Sequence, residues 1–155
     1  MRLLHRTTDG FGFKEFDDAF SVRYAIISHR WHGVDEEVSY KDIKKNRPLD
    51  NKLRGLQKIT YTLDQAAEDG LHYVWIDTCC IDKSSSTELS EAINSMYHWY
   101  QQAEKCYAFL WDVAPDCPVL TDYSHEGHWL EQFGRSAWFT RGWYISPLRS
   151  QKHHP

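Results

Sequence analysis

The sequence predicts an α/β fold in which a parallel β-sheet lies between two layers of helices. Three short runs, at 24–28, 73–77 and 105–111, are almost continuously apolar, as is typical of strands buried on both faces of a parallel sheet. Two segments with helical spacing separate these runs. Because crossovers between parallel strands are right-handed, the order strand, helix, strand, helix, strand gives a parallel sheet with helices on its faces.

Both predicted helices carry an apolar face and a recognisable end. In the first, apolar residues recur at spacings of three and four and precede a glycine that suits a helix end: Leu53, Leu56, Ile59, Leu63, Ala66 and then Gly70. In the second, Ser85 and Glu88 have the spacing of a capping box, in which each side chain bonds a free amide at the helix start. Its predicted apolar face consists of Leu89, Ile93, Met96, Tyr100 and Ala103. The segment 29–52 lacks a clean period and is predicted to be a long loop with short elements. The segment 114–132 is predicted to be irregular because Pro115 and Pro118 would break a helix, and a further packed element is predicted within 133–143.

Composition and charge argue against several classes of function. A chain of 155 residues is the size of one domain, and a net charge of −4 argues against nonspecific nucleic-acid binding, which needs a basic surface. The four cysteines, Cys79, Cys80, Cys106 and Cys117, include no CxxC pair and predict no metal site. No apolar stretch approaches the roughly 18 residues that span a bilayer, and the N-terminus does not resemble a signal peptide. The sequence therefore predicts a reduced, cytoplasmic protein.

Polar side chains are predicted to gather where the three parallel strands end. The first strand leads into Ser28, His29, Arg30 and Trp31, the second into Asp77 and Asp82, and the third into Asp112. In open α/β sheets, ligands bind outside the carboxyl ends of the strands. Carboxylates, a guanidinium that can hold phosphate and an indole that can stack on a base together suit a nucleotide. The alternative is structural, because aspartates at strand ends often cap turns and Arg30 could pair with one of them.

Two other constellations are weaker. His125 and His128 have the spacing of one helical turn, but Gly127 and the irregular surroundings favour a surface loop over a metal site. Cys79 or Cys80 could meet His29 as a nucleophile and its base, although no local signature of such an enzyme accompanies them. The favoured interpretation is that the cysteines pack as small buried apolar side chains.

Long blocks of the chain follow one family pattern. These blocks are 1–4, 24–31, 69–83, 88–96, 99–100, 106–110 and 138–143, and they include Ser-His-Arg-Trp at 28–31 and Trp-Ile-Asp-Thr-Cys-Cys-Ile-Asp at 75–82. In these blocks the sequence resembles the fungal heterokaryon incompatibility (HET) domain. The resemblance implies a role in fungal nonself recognition and programmed cell death. HET domains are similar to TIR domains of innate immunity, so it also implies a flavodoxin-like, three-layer fold and, as in several TIR lineages, cleavage of NAD.

The resemblance weakens at the C-terminal end. HET domains usually continue after Gly-Trp into a helix with a glutamate five residues beyond the glycine, at the place of the TIR catalytic carboxylate. Here that position, five residues after Gly142, is Pro147, and proline neither supplies a carboxylate nor favours a helix. We therefore expect residues 1–146 to form a HET domain that is truncated or altered at its C-terminal end, followed by an unstructured tail at 147–155.

Three functional hypotheses follow. The favoured one is a HET-domain protein of the incompatibility system that is impaired as an enzyme. The second is a TIR-like enzyme that takes NAD as its substrate and needs no cofactor, with Asp77 or Glu91 as the catalytic carboxylate and Asp112 as a further candidate. The third is a non-enzymatic module that self-associates or binds a partner signalling domain.

Overall fold

A computed structural model describes residues 1–33, 35–113 and 126–140 of the chain. Within these ranges the strands are β1 (Arg2–Thr7), β2 (Gly10–Glu15), β3 (Ala25–His29), β4 (Val74–Trp75) and β5 (Lys105–Phe109). The helices are α1 (Tyr40–Lys44), α2 (Leu53–Glu68), α3 (Asp77–Cys80), α4 (Ser86–Gln102) and α5 (Glu126–Arg135), with short 3-10 helices at Ala19–Ser21 and Ala137–Thr140. The strands form one sheet in the order β2-β1-β4-β3-β5.

The three predicted strands form the parallel part of this sheet. Ala25 of β3 lies opposite Val74 of β4 on one side and opposite Lys105 of β5 on the other, and both pairings are parallel. The chain steps from β3 to β4 in one direction along the sheet and from β4 to β5 in the other. Right-handed crossovers therefore place α2 and α4 on opposite faces, so the α/β prediction is confirmed. Every residue of β3 is buried, which is why its sequence is continuously apolar up to its last two positions.

A hairpin at the chain start extends the sheet with an antiparallel edge that the apolar-run pattern did not reveal. β1 pairs antiparallel with β2 and, through Leu4 and Val74, with β4. Leu3 and Leu4 are fully buried. The turn between the strands ends in Asp9-Gly10, with Gly10 at φ 138°, and an Asp-Gly pair between two apolar segments is a known hairpin signal.

Two predicted boundaries differ from the structure. The strand predicted at 73–77 is shorter, because Asp77 already begins α3. The prediction that 114–132 is irregular is wrong from Glu126 onward, where α5 begins. The prediction of a long loop with short elements at 29–52 is confirmed by the short helix α1, which Ser39 and Asp42 cap reciprocally through side-chain bonds to each other's backbone amides.

Helix α4 begins where predicted, but its cap and its apolar face differ in detail. The Ser85 hydroxyl accepts from the Glu88 amide at 3.3 Å, which confirms the predicted cap. The capping box is wrong, because the Glu88 carboxylate accepts instead from the Asp82 amide at 2.7 Å and from the Arg2 guanidinium at 2.7 Å. The Arg2 bond ties the N-terminal hairpin to the start of α4. The predicted apolar face is rotated, since Ile93 is 48% exposed.

The core lies between the sheet and the two long helices α2 and α4. On α2, Ile59, Leu63 and Ala66 are buried, as the sequence predicts, while on α4 the most buried residues are Ala92 and Tyr100. The Tyr100 hydroxyl donates to the carbonyl of Ile27 in β3 at 2.9 Å, so a buried polar group is satisfied at the helix–sheet contact. Of the helices that the structure describes, none is both long enough and apolar enough to cross a bilayer.

Candidate functional site

The strand order puts a topological switch point, here termed the crevice, at the carboxyl ends of β3 and β4. The connection that leaves β3 leads to α2 on one face, whereas the connection that leaves β4 leads to α4 on the other. Such a switch point opens a gap between neighbouring strands, and ligands of open α/β sheets bind there. The segment 28–31 borders the gap from β3, and Asp77 borders it from β4. Sequence reasoning therefore placed these residues at the same edge of the sheet, as the structure does.

A buried hydrogen-bond network joins the two sides of this crevice. Asp77 accepts from His29 Nε2 at 2.7 Å and from Trp31 Nε1 at 2.8 Å, one bond to each carboxylate oxygen. His29 and Asp77 are both buried. Burial acts to raise the pKa of Asp77, but the charge and hydrogen bond of His29, the charge of Lys83 and the Trp31 bond hold it below its ordinary value. Asp77 is therefore a carboxylate at neutral pH, and both its oxygens are engaged.

A buried ion pair lies beside this network and was missed in the sequence. Lys58 Nζ is 2.5 Å from Glu37 Oε1, and the same oxygen accepts from the His32 amide at 2.7 Å. Lys58 Nζ also reaches the carbonyl of Arg30 at 3.4 Å. Burial lowers the pKa of Lys58, although the Glu37 hydrogen bond and charge oppose that shift. Through these bonds to the His32 amide and the Arg30 carbonyl, the pair holds the segment that leaves β3 in place.

The absence of a side chain at Gly55 lets α2, which carries Lys58, pack closely against the backbone that carries Glu37. A Cβ at Gly55 would lie 2.6 Å from the carbonyl oxygen of Glu36 and 2.8 Å from the amide nitrogen of Val38. Only a glycine lets the start of α2 approach this backbone so closely. In the sequence, the only sign of this close approach was a glycine near the start of a predicted helix. The buried Lys58 left no sign, because a lysine within an amphipathic helix is usually exposed.

Aromatic and cationic side chains line the mouth of the crevice. Lys83 Nζ lies 3.7 Å from the ring centroid of Trp31, which is 40% exposed. Beyond β5, Trp111 is 46% exposed and lies near Arg54, with 5.9 Å between the guanidinium carbon and the ring centroid. The His32 ring meets the same Trp111 edge-on at 5.4 Å. Exposed indoles can stack on a flat ring, and the neighbouring cations suit an anionic group.

Asp112 is placed near the third strand end but serves as a cap. Its Oδ1 accepts from the Ser136 hydroxyl at 2.7 Å, and its Oδ2 accepts from the Ala137 amide at 2.6 Å, at the start of the 3-10 helix. Burial raises the pKa of Asp112, whereas these bonds lower it below its ordinary value overall. In the same 3-10 helix, the buried Trp138 donates through Nε1 to the carbonyl of Ser28 at 3.1 Å. The block around Trp138 is therefore attached to the end of β3.

The remaining predicted site residues lie outside the Asp77 network. Asp82 accepts from the amide and hydroxyl of Ser84 at 3.0 and 2.6 Å, so it shapes a turn. Arg30 is exposed. Glu91 is exposed on α4 and lines a separate groove of about 470 Å³, in which Arg2 and Glu88 also lie. The structure thus joins His29, Trp31 and Asp77 directly and places Ser28 at the same strand end, next to His29. Asp82 instead bonds within a turn, and Glu91 lies at a separate groove.

Comparison with known proteins identifies the family. A family model described as "Heterokaryon incompatibility protein (HET)" matches residues 24–118. The chain belongs to the heterokaryon incompatibility (HET) family. It is also similar to the Vegetative incompatibility protein HET-E-1 of Podospora anserina, with 47% identity over 150 residues. That match covers 96% of this chain but 11% of the relative, so the chain spans about a tenth of the relative's length. No solved structure matches the chain.

The matched region of this HET domain runs from β3 through β5 and so contains the whole crevice network. The resemblance to HET domains is confirmed, whereas the likeness to TIR domains remains a prediction. Pro147, the predicted tail and the side chains of His125 and His128 lie outside the described residues. Within the described ranges, no group of three His, Cys, Asp or Glu side chains could hold a metal ion.

Cys79 is unsuited to act as a nucleophile in the HET domain. It is fully buried, and burial raises the pKa of its thiol well above the ordinary value. A thiolate is the reactive form of cysteine, so an elevated pKa suppresses reactivity at neutral pH. The thiol Sγ also approaches the Ile76 carbonyl at 3.9 Å, as a weak donor would. Cys79 therefore fits the interpretation of a small buried apolar side chain.

Proposed function

We propose that this HET domain acts in heterokaryon incompatibility, in the cytoplasm, by binding a nucleotide in the crevice between β3 and β4 without efficient turnover. The observation that carries the proposal is the His29–Asp77–Trp31 network at the switch point of the sheet. A hydrogen-bonded histidine and carboxylate are costly to bury. Their placement at the customary ligand site of an open α/β sheet favours a function there.

The mouth of the crevice supports a nucleotide as the ligand class. Trp31 and Trp111 offer exposed rings, and Lys83, Arg54 and the exposed Arg30 offer positive charge near them. Stacking on an indole and charge-assisted bonds to phosphate are the two interactions that a nucleotide needs. NAD carries both features and is the nucleotide implied by the family resemblance.

The hydrogen bonds of the nearby carboxylates support weak catalysis. Cleavage of a glycosidic bond needs a carboxylate that can face an oxocarbenium-like transition state. Both oxygens of Asp77 and both oxygens of Asp112 already accept protein hydrogen bonds. Pro147 stands where the family resemblance places a glutamate. We expect turnover lower by on the order of a hundredfold to ten-thousandfold than in an enzyme that retains such an acid.

Binding and turnover can be measured on the same purified protein. Titration calorimetry with NAD should detect binding, and chromatography of the same samples should show negligible ADP-ribose and nicotinamide. Asp77→Asn should weaken binding, since an amide cannot accept from both His29 and Trp31, whereas Asp64→Asn, an exposed residue paired with Arg6, should bind NAD as the wild type does. Rapid NAD loss that depends on Asp77 or Glu91 would favour the NAD-cleaving alternative. Absence of NAD binding would refute the nucleotide site.

The incompatibility role needs a cellular measurement. Inducible expression of the chain in a filamentous fungus should reduce hyphal viability without reducing cellular NAD. The same induction of Asp77→Asn should be harmless at equal protein level, and Asp64→Asn should act like the wild type. Equal toxicity of all three proteins would show that the crevice plays no part in the effect.

A second candidate function is self-association or binding of a partner signalling domain. It is favoured by exposed apolar side chains on and beside α4: Ile93 and Tyr97 lie one turn apart, and the 3-10 helix that contains the exposed Phe20 packs against α4. Light scattering over a concentration series tests this candidate. A rise in mass that Tyr97→Ser abolishes would support it, and a constant monomer mass would exclude self-association.

A further inference from the structure

Two buried polar atoms beside the crevice have no hydrogen-bond partner among the described residues. They are Nδ1 of His29 and Oε2 of Glu37. The two residues are only 1% and 7% exposed. Buried polar groups in folded proteins are almost always satisfied, so each exception calls for an explanation such as a ligand or an ordered water. Both exceptions border the segment that leads out of β3.

The orientation of the Glu37 carboxylate is determined by its other oxygen. Oε1 accepts from Lys58 Nζ at 2.5 Å and from the His32 amide at 2.7 Å. Lys58 is itself buried and reaches the Arg30 carbonyl. Two donors from different parts of the chain hold Oε1 in place, and one of them is the His32 amide, in the segment that leads out of β3. Oε2 is therefore an oriented acceptor on a carboxylate that is bonded to that segment.

The open ring nitrogen of His29 is the second buried atom that a hydroxyl group can satisfy. His29 Nε2 lies 2.7 Å from Asp77 Oδ1, which leaves Nδ1 without a described partner. A hydroxyl group can both donate and accept a hydrogen bond, so it can pair with Nδ1 whether or not that nitrogen carries a hydrogen. The end of β3 is therefore bordered by one oriented acceptor, Glu37 Oε2, and one ring nitrogen that a hydroxyl suits.

The charges around the Glu37 carboxylate favour a neutral hydrogen-bond donor. Lys58 already neutralises Glu37, and Lys83 adds a second positive charge that acts on both Glu37 and Asp77. A further cation would be repelled by these two lysines, whereas a hydroxyl group brings a donor without charge. Sugar hydroxyls are such donors, and carboxylates bind them readily as charge-assisted acceptors.

We propose that Glu37 is a ligand-binding residue of the crevice, whose Oε2 accepts a hydrogen bond from a sugar hydroxyl of the bound nucleotide, with His29 Nδ1 as a second hydrogen-bond partner of the sugar. This inference rests on the proposed nucleotide site and assigns to it a residue that sequence reasoning did not select. Lys58 is the positioning residue, because it holds the carboxylate in the orientation that leaves Oε2 open.

Glu37→Gln changes this one acceptor with little change in shape. Since both Lys58 and His32 donate to Oε1, the amide oxygen must take that position, and the amide NH₂ then replaces Oε2. An acceptor becomes a donor, and a ligand hydroxyl loses its partner. Glu104→Gln is the control, because Glu104 lies just before β5, at the edge of the sheet opposite the crevice, and pairs with Arg23 at 2.6 Å.

Calorimetric titration with NAD tests the assignment. Glu37→Gln should weaken NAD binding by about ten- to a hundredfold, the usual loss for a hydrogen bond to a charged group, and Glu104→Gln should bind as the wild type does. Equal affinity of wild type and Glu37→Gln would overturn the role of Glu37 while leaving the nucleotide site intact. Absence of NAD binding by the wild type would instead refute the nucleotide site and this inference with it.

A second measurement needs no variant and therefore does not depend on how Glu37→Gln folds. The wild-type protein should bind AMP at least about tenfold more tightly than 2′,3′-dideoxy-AMP, which lacks both ribose hydroxyls. A high-resolution structure with AMP should show a ribose hydroxyl within hydrogen-bond distance of Glu37 Oε2. Equal binding of the two nucleotides, or an ordered water on Oε2 in the AMP complex, would overturn the assignment.

Discussion

Replacing Gly55 with alanine should destabilise the protein although alanine is the better helix former. A Cβ at this position would lie 2.6 Å from the Glu36 carbonyl oxygen, 2.8 Å from the Val38 amide nitrogen and 3.2 Å from the Glu37 Cα. All three atoms belong to the backbone, so no side-chain rotation can relieve the clash. The Gly55 amide also donates to the Glu36 carbonyl at 3.2 Å, and that bond must lengthen as α2 moves away.

The expected magnitude follows from two opposing effects. Forcing an extra carbon into a packed contact costs about 1–3 kcal/mol, while alanine in place of glycine within a helix contributes roughly 1 kcal/mol of stability. The clash should cost about 2–3 kcal/mol, the upper part of that range, because it involves rigid backbone on both sides, and the net loss should therefore be about 1–2 kcal/mol. Since Glu37 lies in the displaced segment, NAD binding should weaken as well.

Urea denaturation followed by tryptophan fluorescence measures this loss. Gly134→Ala is the matched control, because Gly134 also lies within a helix, α5, and a Cβ there meets no described atom within 4 Å. Gly134→Ala should leave stability unchanged or raise it by up to about 1 kcal/mol. A Gly55→Ala protein as stable as Gly134→Ala, with the same dependence on urea, would show that the close approach of α2 to the Glu36–Val38 backbone is not as the structure has it.

Three other predictions concern stability. Ser85→Ala should lower the free energy of unfolding by about 0.5–2 kcal/mol, and an unchanged urea midpoint at unchanged slope would argue against the cap. Ile93→Ala should change stability by less than about 0.5 kcal/mol, whereas Ile59→Ala should cost about 2–5 kcal/mol; a large loss for Ile93 would restore the face predicted from the sequence. Burial acts to raise the pKa of Asp42, but the hydrogen bonds from Lys52 and Ser39 hold it at about 2. The unfolded chain therefore binds this proton first as pH falls, and about 2 kcal/mol of stability should be lost between pH 4 and pH 2. The fall in unfolding free energy over this range should be smaller by that amount in Asp42→Asn, and an equal fall in both proteins would contradict the pairing.

The parallel part of the fold could be predicted because each of its elements leaves a local signal. β3 is buried on both faces, so its first three residues are apolar, and α2 buries one stripe, so Ile59, Leu63 and Ala66 recur with the helical period. The hairpin gave a weaker signal, since β2 is only partly buried and its residues do not form an apolar run. The Asp9-Gly10 pair was the informative feature there. The start of α5 was missed because Pro115 and Pro118 suggested that the irregular segment continued.

The candidate site could be predicted only in part, for a physical reason. His29, Trp31 and Asp77 follow strand ends, so the rule for open α/β sheets brings them to one edge. The same rule also selected Asp82 and Asp112, yet a turn hydroxyl and a helix start engage these carboxylates. Which carboxylate faces a crevice and which caps a turn depends on donors that lie far away in the chain.

The sequence by itself determined the HET family, the α/β class and the edge of the sheet at which polar residues gather, because periodic burial and strand ends are local properties of the chain. Only the tertiary structure decided that Glu37 and Lys58, 21 positions apart, form a buried pair beside Asp77. Isolated charged residues normally remain in water, since burial costs them their hydration. A buried pair therefore forms only where packing brings opposite charges together, and here that packing depends on the close approach of two backbones at Gly55.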